Sequence, residues 1–179
     1  VGRPLANGVF YTVYFILSAM ITVCYLLFLM YGYKYRMNFD DSKEVFLKHL
    51  ARLLGLLLAI MLFFEFWRFL TLIYGGVPER SETALHILKS PGFLIGELLL
   101  GILIPFSIIL YTKAEAIHKI IWASLGGMVG IFFMRYDLVV DTLMYPMQTL
   151  KTIEYQLVPT WIEYSPTWTE WFIALGALG

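Results

Sequence analysis

Residues 53–74 read LLGLLLAIMLFFEFWRFLTLIY, an apolar run broken by two charges, Glu65 and Arg68. About 20 residues of helix at 1.5 Å rise cross the hydrocarbon of a bilayer, so this run is long enough to span one. A charge at the bilayer centre costs roughly 2.5–3.5 kcal/mol on insertion scales. Residues of this kind therefore face a protein interior or a water-filled path. Glu65 and Arg68 are three apart, on one helical face, and can pair. Glu97, Arg135 and Asp137 interrupt other apolar stretches in the same way.

The rest of the chain has the same character. Of its 179 residues, 60% are apolar and 15% charged, and the formal net charge is zero; mean hydropathy is +0.75. A soluble domain of this size would carry far more charge, so the whole chain reads as membrane-embedded. No Lys/Arg-rich tract offers a surface to nucleic acid. Cys24, the single cysteine, cannot form a disulfide within the chain or hold an iron–sulfur cluster, and reads as a buried small apolar residue.

The expected fold class is all-α, a polytopic membrane helical bundle of four complete transmembrane helices and a truncated fifth. The spans run from about Gly8 to Tyr33, Val45 to Tyr74, Phe93 to Tyr111 and Ile120 to Leu143, with a fifth beginning near Pro166. As domains, residues 1–143 form the four-helix bundle and 144–165 an interfacial loop. Residues 166–179 start a further span, and the chain is expected to be part of a longer protein. Asn38–Ser42 is a polar turn with an N-cap for the second helix. Gly75–Pro78 ends that helix, so 75–91 reads as a loop, and Ser90-Pro91-Gly92 opens the third. Pro105 is expected to kink the third helix. Gly126, Gly127 and Gly130 form a small-residue patch that lets another backbone approach.

Lys34, Arg36, Lys43, Lys48, Arg52, Lys113 and Lys119 fall on one side, against Arg3, Arg80, Lys89 and Lys151 on the other. The positive-inside rule places the first set in the cytoplasm, making this a multi-pass protein of the cytoplasmic (inner) membrane. Every intramembrane charge then lies between the midplane and the outer surface. Acids outnumber bases there: Glu65, Glu97, Asp137, Asp141 and Glu170 against Arg68 and Arg135. Acids in low dielectric can carry protons, so the five are candidates for a proton pathway or polar cavity. Arg68 and Arg135 are candidates for charge tuning or structural pairing. Asp137 and Asp141 share a helical face, whereas Arg135 and Asp137 point apart. The competing reading is a set of structural ion pairs that register the helices.

Positive signals for other chemistry are lacking. A bis-His haem needs two histidines at membrane depth on facing helices. His49 lies at the inner end of the second helix, while His86 and His118 lie in loops on opposite sides, so no haem is expected. The sequence contains no HExxH, CxxC, P-loop or GxGxxG, and no metal site or catalytic residue is assigned.

Three segments carry a resemblance. FLIGELLLGILIP (Phe93–Pro105) has a Glu, a Gly four residues on, and a following Pro; FMRYDLVV spans Phe133–Val140; and YSPTWTEWFIALG spans Tyr164–Gly176. Together they resemble the C-terminal bundle of the NrfD-like, polysulfide-reductase membrane-subunit family, over roughly residues 93–176. The first two helices match only in character. Members include membrane subunits of hydrogenases, alternative complex III and sulfite-reduction-linked complexes. The resemblance implies a haem-free helical subunit of a respiratory complex that exchanges electrons with quinone, menaquinone above all. Its implied partners are an iron–sulfur electron-transfer subunit on the outer face, other complex subunits and membrane lipid, with all clusters held by the partners. Glu97, Arg135 and Glu170 stand at matched motif positions. Asp137 replaces the family's usual Asn. The quinone ligands are not assigned, because the family's pocket belongs mainly to its N-terminal bundle. The alternatives are a secondary transporter and a purely structural anchor.

Overall fold

The computed structural model describes residues 8–75, 78–144 and 167–169. Among these every regular element is helical: α1 (Gly8–Lys34), α2 (Asp41–Tyr74), α3 (Pro78–Lys89), a π-helix (Gly92–Leu103), α4 (Ile104–Thr112) and α5 (Ile117–Met144). Four segments are long and apolar enough to cross a membrane: Thr12–Lys34, Asp41–Tyr74, Gly92–Thr112 and Ile117–Tyr136. The chain is thus an all-helical, multi-pass membrane protein, and the segment expected to begin a fifth span lies almost wholly outside the described residues.

The four spans run up and down. Tyr14 packs on Arg68 and Tyr31 on Phe46, which makes α1 and α2 antiparallel. Phe69 meets Phe93 while Gly55 meets Ile109, so the third span runs back along α2. Gly96 faces Phe133 and Gly101 faces Gly130, which sets α5 antiparallel to the π-helix. The core is filled by Ile21, Phe28, Leu54, Leu58, Met61 and Ile120, each almost fully buried. Their lipid-side counterparts are apolar too, as expected of helices dissolved in hydrocarbon.

The glycines of α5 explain its close packing. A Cβ on Gly130 would lie 2.1 Å from the Cα of Gly101, and one on Gly127 would lie 2.4 Å from the ring of Tyr25. Only hydrogen at Gly130 lets the two backbones touch, the usual basis of helix association where no hydrophobic effect operates, and only hydrogen at Gly127 leaves room for the Tyr25 ring.

The third span differs from a simple kinked helix. Its first twelve residues wind as a π-helix, and Ile104 N–H bonds the carbonyl of Leu99, five residues back. The change to α-helix comes just ahead of Pro105, which has no N–H to offer the carbonyl four residues earlier. That carbonyl belongs to Gly101 and accepts the buried Tyr25 hydroxyl at 2.8 Å. A neighbouring helix thus supplies the donor that proline removed.

Two further differences concern the connections. The stretch 75–91, expected as a loop, contains α3. Pro78 opens it at a position where a missing N–H has no cost, and Ala84 and Ile87 are buried in a small cluster with Phe69, Leu72 and Phe93. At the opposite end, α1 and α4 close alike. Arg36-Met37 and Lys113-Ala114 take left-handed conformations, and Met37 N–H and Ala114 N–H reach back to Gly32 and Ile109 carbonyls. These are the 6→1 bonds of a Schellman closure, formed here without glycine.

Candidate functional site

Three charged side chains are buried among the described residues: Glu65 (3% exposed), Arg68 (8%) and Glu97 (2%). Glu65 and Arg68 both come from α2, one turn apart. The Arg68 Nη2 stands 2.9 Å from Glu65 Oε1. The contact has the distance of an ion pair without the alignment of a hydrogen bond, since both Glu65 oxygens and Arg68 Nε lack a hydrogen-bond partner. Each such buried group costs about 1–3 kcal/mol when left unsatisfied. The pair is therefore a poor stability device and an obvious place for water or a proton.

Aromatic rings enclose the guanidinium. Its Cζ lies 5.0 Å from the centroid of Tyr14 on α1 and 4.9 Å from that of Phe69 on its own helix. Both distances fall in the range of cation–π attraction, strongest where water is absent.

Glu97 enters from the π-helix. The Phe69–Phe93 ring contact, with centroids 5.0 Å apart, fixes the register of the antiparallel pair. Glu65 lies four residues before Phe69 and Glu97 four residues after Phe93, so the two residues stand at about one level of the bundle. π-Turns are rare and concentrate at functional positions, because the widened backbone re-aims a side chain.

The other candidates are placed differently. Arg135 is exposed on α5, along the stripe of Trp122, Leu125, Val129 and Phe132, rather than buried with Glu65 and Glu97. Asp137 and Asp141 belong to α5, but their side chains, like all of Glu170, lie outside the described residues. Of the histidines, His49 is exposed on α2 with Nδ1 against the Val45 carbonyl. His86 lies in α3. His118, in the first turn of α5 rather than in a loop, has Nε2 3.0 Å from the Met37 carbonyl and ties that helix start to the first Schellman turn. Between the two Schellman turns lies a polar cavity of about 330 Å³, lined by Asn38, Phe39, Glu44, Glu115 and His118 among others. At the opposite end of α2, Trp67, Leu70, Thr71, Tyr74 and Gly75 line an open apolar groove of about 550 Å³. Among the described residues no group of three or more His, Cys, Asp or Glu is placed to hold a metal.

Two buried carboxyls in a bundle with four spans among its described residues, one of them on a π-helix, invite comparison with known membrane proteins. The family model described as polysulphide reductase, NrfD, matches residues 1–147. The chain belongs to the NrfD family. The match takes in the first two spans, which carry no recognisable motif, as well as the third and fourth. This NrfD-family chain is also 26% identical over 171 residues to a subunit of the selenate reductase of Mesobacillus selenatarsenatis. The alignment covers 92% of the chain but only 39% of that relative's length. No solved structure matches.

Tyr14 was not singled out from sequence. Its signal is weak, a tyrosine in an aromatic-rich span, and only the α1–α2 register sets it against Arg68.

Proposed function

We propose that this chain is part of the membrane subunit of a respiratory reductase complex, and that its buried acids handle the protons of a quinone-linked reaction. The observation that carries the reading is the level shared by Glu65 and Glu97 in the bundle interior, with Glu65 incompletely compensated by Arg68. Membership of the NrfD family and the similarity to part of a selenate reductase support the redox setting.

In this reading the quinone, menaquinone by preference, supplies the electron chemistry coupled to proton uptake or release. Iron–sulfur centres of a partner subunit on the outer face receive or deliver the electrons. The chain's own residues set the proton side. Glu65 and Glu97 take up and release protons in the bundle core. Arg68, held between two rings, fixes the Glu65 carboxyl and limits the charge it leaves behind. Asp137, Asp141 and Glu170 extend the path towards the outer surface. Exposed Arg135 acts at the surface of α5. The apolar groove at Trp67, Leu70 and Tyr74 suits an isoprenoid tail better than a quinone ring, because the Thr71 hydroxyl in its wall is already bonded to the Trp67 and Arg68 carbonyls. The quinone ring is therefore assigned to the remainder of the subunit.

The test is quinol-dependent reduction by the purified native complex, comparing wild type with Glu65→Gln and Glu97→Gln. A fall in turnover of about 10²-fold or more, with the complex intact, is the expected result for loss of a proton-transferring group. Unchanged turnover in both variants would make the acids structural. Absence of quinol activity in the wild type would move the chain to the transporter class.

A further inference from the structure

We infer that the corner between α1 and α2 is a water-binding site, and that Tyr14 is the positioning residue that closes it. Among the described residues, the other buried hydroxyl groups have protein partners. Ser18 donates to the Phe15 carbonyl and Ser124 to that of Ile120, both on their own helices, and Tyr25 donates across to Gly101. Tyr14 is the exception. Its side chain is 1% exposed, yet its hydroxyl has no hydrogen-bond partner in the protein.

The same condition recurs next to it. The Tyr14 ring lies over the Arg68 guanidinium, and Arg68 contacts Glu65. Arg68 Nε and both Glu65 oxygens also lack hydrogen-bond partners. Four such atoms therefore belong to three side chains joined through Arg68, each more than nine-tenths buried. Buried polar atoms in native proteins are almost always bonded, to protein or to ordered water. A buried water takes about three hydrogen bonds, from two to four polar groups. The corner offers both kinds of partner: the Arg68 N–H donates, the Glu65 oxygens accept, and the Tyr14 hydroxyl does either.

The rings decide where that water can bind. Tyr14 and Phe69 flank the guanidinium, so its free hydrogen-bonding capacity lies in its plane. Tyr14 thus has two parts with separable roles. Its ring fixes Arg68, and its hydroxyl supplies a water ligand from a helix other than the one carrying the charges. For its use in proton transfer the inference rests on the proton-handling reading above; for the occupant itself it does not.

The experiment uses the full-length protein in its native complex, in lipid, and reads internal water directly. Infrared difference spectra in H₂¹⁶O and H₂¹⁸O isolate the O–H stretch of bound water without any turnover. An isotope-sensitive water band in wild type is expected to be lost in Tyr14→Phe, which keeps the ring, and in Glu65→Leu, with the assembly intact. Tyr14→Leu is expected to lose the band and also to lower thermal stability, because Arg68 loses one flanking ring. A band that persists unchanged in Tyr14→Phe would overturn the inference, as would a wild type with no isotope-sensitive band. Either result leaves the quinol-turnover test of the acids standing independently.

Discussion

Glu65 and Arg68 illustrate how much the spacing of two residues conveys. Three residues apart on a helix, they were legible as a pair, and they meet at 2.9 Å. What the spacing could not convey is the surroundings that make the pair unusual. The ring over Arg68 comes from Tyr14 of α1, more than fifty positions earlier in the chain, and its buried hydroxyl has no hydrogen-bond partner in the protein. Arg135 shows the converse. Its position in the outer third of its span was readable, but the rotation of α5 that leaves it exposed beside Phe132 was not. The ion pair carries a stability prediction. Arg68→Met leaves a buried carboxyl without its counter-charge and should cost about 3–5 kcal/mol, whereas Arg68→Met combined with Glu65→Leu should be close to neutral. Thermal unfolding of the purified full-length protein compares them. A double variant no more stable than the single one would show that the pair is not the unit that matters.

At the scale of elements, the α5–π-helix contact shows what a glycine patch can and cannot announce. GxxxG spacing signalled a close approach, yet it did not say which of Gly126, Gly127 and Gly130 makes it, or to what. The structure separates them. Gly130 abuts the Gly101 backbone, whereas a Cβ on Gly126 meets only Leu100 at an ordinary 3.6 Å. Gly130→Ala should destabilise by about 1–3 kcal/mol, since neither backbone can give way. Gly126→Ala should be neutral or stabilising by up to about 1 kcal/mol through helix propensity. Unfolding of the two variants side by side measures the contrast, and equal effects would refute the assigned contact. The π-helix itself left no local mark in the sequence. FLIGELLLGIL is as compatible with α as with π winding, and only the structure distinguishes them. Helix α3 was missed for a different reason. PERSETALHILK is polar enough to read as loop, and its apolar face becomes apparent only where Phe69 and Phe93 receive it.

For the whole molecule, the up-and-down path puts both Schellman turns at one end and α3 at the other. Lys34, Arg36 and Lys113 are exposed at the turn end, the side that loop charge assigns to the cytoplasm. Cysteine substitution tests this orientation, because the native Cys24 is buried at 4% exposure and should stay silent. Lys34→Cys should react with a membrane-impermeant maleimide only from the cytoplasmic side, and Lys89→Cys, on the exposed surface of α3, only from the opposite side. The reverse pattern would invert the bundle and move the level of Glu65 and Glu97 towards the cytoplasm.

The sequence alone determined that this chain is a helical membrane protein, with four spans among the described residues and acids inside them, because hydrocarbon admits only segments that satisfy their own backbone and tolerates charge only where something compensates it. Three segments between about residues 93 and 176 also carried enough of a family pattern to point to NrfD. Tertiary structure decided which charges are buried together. Depth along a helix follows from counting residues, but the facing of side chains from separate helices depends on rotation and register. Those were set by contacts such as Phe69 on Phe93 and Gly130 on Gly101, between residues far apart in the chain.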